Sequence, residues 1–141
     1  MSVPDNYTLV HRERMPLRWG DMDAMGHVNN TLYFRYFEQA RIAWFEAMGC
    51  PPDPSGIGPV IISAHCTFLK QLRYPGDIHV VTLVGDFGRS SFHTIHQIRR
   101  VDDPDTVMAE GGSKVVWVDQ RAEKSVPLPE EMQALLKKSF V

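Results

Sequence analysis

The sequence predicts an α+β domain in which one curved, five-stranded antiparallel sheet wraps a single long helix. Three observations lead there. Thr31 to Met48 carries helical periodicity over its whole length, four β-rich runs follow it with only short turn segments between them, and one further β-rich run precedes it. Short links join consecutive strands antiparallel, because a parallel return needs a crossover of about a dozen residues or more. One enclosed helix against one sheet is a two-layer arrangement that closes a core. At 141 residues the chain fits one domain, residues 1–141, long enough to bury roughly two-thirds of its unfolded surface without staples.

The elements follow in order. Tyr7 to Trp19 reads as the first strand, with Leu9, Met15 and Leu17 set among charged neighbours. Gly20 to Asn30, GDMDAMGHVNN, has the Gly, Asp and Asn content of a loop that ends in a helix cap. In the helix, Tyr33, Phe37, Ala40, Trp44 and Ala47 step by three and four, one apolar stripe that Leu32, Tyr36, Ala43 and Met48 widen. Asn29 or Asn30 serves as its N-cap, a short side-chain oxygen accepting from first-turn amides. Gly49 before Cys50-Pro51-Pro52 stops it, since Gly permits a left-handed end and Pro cannot continue a helix.

The later strands are Pro59 to Leu69, Asp77 to Phe87, Ser91 to Val101 and Thr106 to Asp119. Turn material at 74–77, 88–90 and 102–105 separates them. Pro129 to Phe140 reads as a short amphipathic helix with Met132, Leu135 and Leu136 on one side. One long helix cannot cover both faces of such a sheet, and an edge strand stays open. Self-association into a homodimer or homotetramer is the expected remedy.

The bulk properties exclude several classes. The formal net charge is -2, with 43% hydrophobic and 23% charged residues, so no global field draws nucleic acid or an anionic membrane. The two cysteines, Cys50 and Cys66, form no CxxC, which points to a reducing compartment. Met1 to Asn6 lacks an apolar signal core, and no run is long enough to span a bilayer. The expectation is a cytoplasmic protein. His93 and His96 lie three apart on a strand and point to opposite faces, a poor metal pair, so no metal site is expected. No GxSxG elbow is present, and Gly56-Ile57-Gly58 lacks the third glycine and helix of a nucleotide loop.

The chemistry concentrates in Arg18 to Asn30, which places Asp21, Asp23, His27, Asn29 and Asn30 in a loop entering the helix. A helix start presents free amides and partial positive charge. A carboxylate nearby stays ionised, as a base or nucleophile must. The amides polarise a carbonyl and stabilise the oxyanion formed on attack. Gly26 lets backbone approach a substrate. The same residue types also serve as plain caps and turns.

The stretch resembles the hotdog-fold thioesterases of the 4-hydroxybenzoyl-CoA thioesterase-like group. It shows their Asp-x-Asp at Asp21 and Asp23, then Gly-His-Val-Asn-Asn at 26–30, then Tyr33, Tyr36, Glu38, Ala40 and Arg41. The resemblance implies hydrolysis of an acyl thioester to acid and thiol without a cofactor. Asp23 would be the catalytic carboxylate, assisted by His27 and Asn30, with the thioester carbonyl on helix-start amides near Asn30. Gly26, Asn29 and Tyr33 are expected to contact substrate, and Arg89, Ser90 and Ser91 to meet pantetheine or phosphate. Acyl-CoA is the expected substrate, with acyl carrier protein an open alternative. Lys70, Arg73, Arg99 and Arg100 are further basic candidates for the nucleotide. Trp19, Met22, Met25 and Phe34 are candidates for an acyl slot. Asp21 is expected to pair with Arg18 or Arg41, and Glu38 with Arg35 or Arg41. A hotdog hydratase and a non-catalytic acyl-CoA-binding protein are the rival readings.

Overall fold

The structure, a computed structural model, describes residues 3–139, and side-chain surroundings as far as Leu135. The strands are β1 (Thr8–Pro16), β2 (Ile57–Phe68), β3 (Asp77–Gly85), β4 (Ser91–Arg100), β5 (Ala109–Asp119) and β6 (Lys124–Ser125). The helices are α1 (Leu32–Ala47) and α2 (Glu130–Ser139). All pairings are antiparallel, in the order β1-β3-β4-β5-β2, with β6 added beside β5.

The expected count of five strands is corrected to six. After β5, the Asp119 carboxylate accepts from the Arg121 and Ala122 amides at 2.9 and 3.1 Å. This side-chain turn reverses the chain so that Lys124 and Ser125 pair back onto Asp119 and Val118. The first strand ends at Pro16, opposite Asp77, and Trp19–Asp21 forms a 3-10 turn instead of continuing it. Of the last helix, Leu136's place on the apolar side and the expected end at Phe140 lie outside the described side chains and residues.

α1 stops as its sequence demands. Gly49 takes a φ of 79°, and Gly49 and Cys50 donate back to the carbonyls of Glu46 and Phe45 at 3.1 and 2.9 Å, the paired bonds that close a helix end. Its inner face buries Tyr33, Tyr36, Phe37, Ala40, Arg41, Trp44 and Phe45. Gly111 on β5 faces Phe37, and a Cβ there would stand 2.6 Å from the ring. That bare position lets the helix approach the sheet.

The core forms two apolar clusters. Tyr33, Phe37, Ala40, Leu72, Val80 and Ile98 belong to the one nearer the start of α1. Trp44, Phe45, Phe92, Val115, Trp117 and Met132 belong to the other. A polar layer runs across the sheet at the junction. There Thr82 meets His96 at 3.1 Å and Thr94 meets Ser113 at 2.7 Å. His96 is fully buried and stacks on Phe37, with ring centroids 4.9 Å apart. His93, three residues earlier, lines a separate cavity with Tyr7, Ser63 and Lys114. Strand β2 is the outer edge beyond β5, and it leaves Ile57, Val60, Ile62 and Phe68 exposed. Among the described residues no helix is long and apolar enough to cross a membrane.

Candidate active site

The loop between β1 and α1 is built by its own short-range bonds. The Asp23 amide donates to His27 O at 2.8 Å, and the Gly26 amide to Asp23 O at 3.1 Å. The Asp23 Oδ1 accepts from the Met25 amide at 2.9 Å. Gly26 has a φ of 80°, and its Cβ position is open. Glycine is therefore needed there for its left-handed backbone and not for close approach. The loop is tied outward where Val28 N donates to Leu72 O and Asn29 N to Asp21 O, both at 2.9 Å.

Asp21 is structural. Its Oδ2 accepts the Tyr36 hydroxyl at 2.7 Å and the Arg18 amide at 3.1 Å. The expected pairing with Arg18 therefore runs through the backbone, and Arg41 is not involved. Burial, then the bond to Asp21, push the Tyr36 phenol well above its usual range. Glu38 pairs with Arg35 at 3.0 Å.

The N-cap of α1 falls on Thr31, which makes no side-chain cap bond, and not on Asn29 or Asn30. Asn29 instead holds the turn that leads into the helix. Its Oδ1 accepts the Thr31 amide at 3.0 Å and the Thr31 hydroxyl at 2.9 Å, and its carbonyl accepts the Leu32 amide at 3.0 Å. Two helix-start amides are thus occupied. Asn30 makes no hydrogen bond with any described residue, so its backbone N–H is a free donor.

A cavity of about 460 Å³ opens here, lined by Asp23, His27, Val28, Asn30, Tyr33, Phe68, Leu69, Lys70 and Gln71. It holds Asp23, His27, Asn30 and Tyr33 together. Gly26 and Asn29 shape the loop without lining it. Tyr33 stacks edge-on against Phe68, with centroids 4.8 Å apart. Its phenol is raised chiefly by burial, with Asp23 nearby adding to the effect. The Asp23 Oδ2 has no described partner, leaving one carboxylate oxygen free toward a ligand.

Other expected contacts lie elsewhere. Arg89, Ser90 and Ser91 sit where β3 turns into β4, whereas the Asp23 loop joins the other end of β3 through the Leu17 amide on Gly76 O at 2.8 Å. Nine residues of strand, about 30 Å, separate the two. Trp19 and Met25 are 77% and 79% exposed, and Met22 and Phe34 do not line the cavity. Its apolar wall comes from Val28, Tyr33, Phe68 and Leu69 instead. Phe68, Leu69 and Gln71 were not anticipated from sequence. They arrive from the end of β2, and the Val28–Leu72 pairing, with the Tyr74 amide on Met22 Sδ, brings that segment to the loop.

A family model described as the Thioesterase-like superfamily matches residues 17–136. The chain belongs to that superfamily. Its place there makes thioester hydrolysis its enzyme class. It is similar to a solved Pseudomonas aeruginosa structure named as a candidate thioesterase, at 40% identity and a TM-score of 0.89, covering 92% of this chain and 99% of that one. A Xanthomonas campestris structure named as a candidate acyl-CoA thioesterase is 34% identical with a TM-score of 0.74, covering 80% and 96%. An Aquifex aeolicus protein named as a candidate esterase is 30% identical over 131 residues, 91% of this chain and 97% of its own.

Proposed function

We propose that this superfamily member is an acyl-CoA thioesterase with Asp23 as its catalytic carboxylate. The observation that carries the reading is one cavity holding the free Asp23 oxygen and the free Asn30 amide at the start of α1. The thioester carbonyl oxygen accepts from Asn30 N–H, aided by the positive end of the helix. Asp23 then attacks the carbonyl carbon, giving a mixed anhydride that water cleaves, or takes a proton from the water that attacks. Either way the C–S bond breaks, the thiol leaves carrying a proton, and the acid is released. His27 orients the water. Lys70 offers a cation at the cavity rim for the carrier, and the Xanthomonas relative's name favours CoA over acyl carrier protein as that carrier. Gly26 and Asn29 support the reaction by holding the loop. Arg89, Ser90 and Ser91 fall outside this set.

We further propose that the protein works as a homodimer or homotetramer, since the β2 edge and its exposed Ile57, Ile62 and Phe68 are a costly surface to leave in water.

The test is thiol release from a panel of aromatic and straight-chain acyl-CoAs, with Asp23→Asn beside wild type. The expected result is turnover on at least one thioester and a loss of about 100-fold or more in the variant. Undiminished turnover by Asp23→Asn removes the residue assignment. Inactivity on every CoA and acyl carrier protein thioester removes the function.

A further inference from the structure

A second cavity, of about 230 Å³, follows along the gap between α1 and β2. Phe34, Phe37, Ile61 and Ala64 give it apolar walls, and Arg41, His96 and Ser113 give it a polar end. Arg41 lies two helical turns past Tyr33, about 12 Å along the axis, so this cavity lies farther along α1 and β2 than the one at Asp23.

The polar end lacks a partner. Arg41 is only 9% exposed, yet it makes no hydrogen bond or ion pair with any described residue. Burial pushes its pKa down, and the field of Glu38 pushes it up, but a guanidinium stays charged at any ordinary pH. A buried charge left alone is costly. His96 Nε2 is likewise buried with no partner. Burial holds this imidazole neutral, with its pKa lowered to about 3. Its Nδ1 lies 3.1 Å from the Thr82 hydroxyl. Ser113 adds a hydroxyl through its bond with Thr94. Glu38 also lines the cavity, but Arg35 holds it at 3.0 Å. The balance is one buried guanidinium without a hydrogen bond among the described residues, with the Ser113 hydroxyl and His96 Nε2 beside it, at the end of an apolar slot.

We propose that this chamber receives a carboxylate carried at the far end of the acyl group, so that thioesters of dicarboxylic acids are the preferred substrates. The proposal rests on the thioesterase reading and names its substrate class. Arg41 would hold the carboxylate by charge-assisted bonds, with the Ser113 hydroxyl beside it. A second copy meeting this chain at β2 is a poorer source of the anion, because β2 contains no Asp or Glu and Glu38 is already paired.

The experiment compares matched CoA thioesters that differ only at the far end: hexanoyl with adipoyl, octanoyl with suberoyl, decanoyl with sebacoyl. Wild type is expected to favour the carboxyl-ended member of at least one pair by about tenfold or more in kcat/KM. In Arg41→Met that ratio falls to about one, and Arg41→Lys restores part of it. Ser113→Ala keeps the charge and lowers the ratio about fivefold, the equivalent of one lost hydrogen bond. Suberate itself is the second probe: it should raise the Tm of wild type, octanoate should not, and Arg41→Met should not respond. An Arg41-dependent response to suberate without any thioester cleavage would sustain the chamber and remove the thioesterase reading. Cleavage with no preference at any length, or an equal suberate response in Arg41→Met, overturns the chamber. So does conversion of an oligomer to monomers by Arg41→Met in light scattering, which would assign the anion to a second copy.

Discussion

His96 shows what one residue costs and controls. Its imidazole is fully buried, and burial first, then the positive Arg41, lower its pKa from 6.5 to about 3. The folded state therefore refuses a proton that the unfolded chain accepts. Stability from this residue is complete above about pH 6.5 and is lost as the pH falls toward 3. At pH 4 the loss amounts to roughly 3 kcal/mol at most, from about 1.4 kcal/mol for each pH interval crossed. Urea unfolding of wild type and His96→Gln at pH 7 and pH 4 measures it. The wild type should lose more stability between the two pH values than the variant does, and parallel losses would show that His96 takes no part. Asp23, His27, Asn30 and Tyr33 were legible because they sit in one contiguous motif, and the structure gathers them in one cavity. Phe68, Leu69 and Gln71 were not, since nothing local in a strand end tells which loop it will meet.

At the scale of elements, periodicity located α1 and the five longer strands, and composition located the turns. Boundaries moved where a backbone bond intervened. Met108, read as part of the fifth strand, instead accepts from the Leu69 and Lys70 amides at 3.0 and 2.9 Å, and β5 begins one residue later. The β6 hairpin escaped notice because two residues carry no periodicity. The placing of Trp19 and Met25 failed for a related reason: in a loop, an apolar side chain has no face assigned by period. At Gly111 any side chain would meet the His65 carbonyl of β2 as well as the Phe37 ring of α1. Gly111→Ala should overpack this contact and destabilise the fold by about 1–3 kcal/mol, read as a lower urea midpoint at unchanged slope. Pairing it with Phe37→Leu should recover little of the loss, because the His65 carbonyl of β2 stands nearer to the Cβ position than the ring does. If the single variant is as stable as wild type, the close approach is not what the glycine supplies.

For the whole molecule, the open question is what covers β2. The strand pairs with β5 on one side only, and the apolar residues along it, Ile57 at 52% and Ile62 at 57% exposure, are more than a lone edge strand ordinarily shows to water. Ile62 sits at the irregularity between Ile61 and Ser63, outside the regular ladder with β5, so a charge there disturbs the interior least. Ile62→Glu should therefore leave the monomer fold intact while placing like charges against each other across any interface that repeats this strand by two-fold symmetry. Light scattering at micromolar concentration should find wild type as a dimer or tetramer and Ile62→Glu as a monomer, with unchanged circular dichroism. Wild-type Tm should rise with protein concentration, and that of the variant should not, because only association couples stability to concentration. A wild type that runs as a monomer, with a Tm independent of concentration, would mean that β2 stays open and that the edge carries its apolar residues for some reason other than self-association.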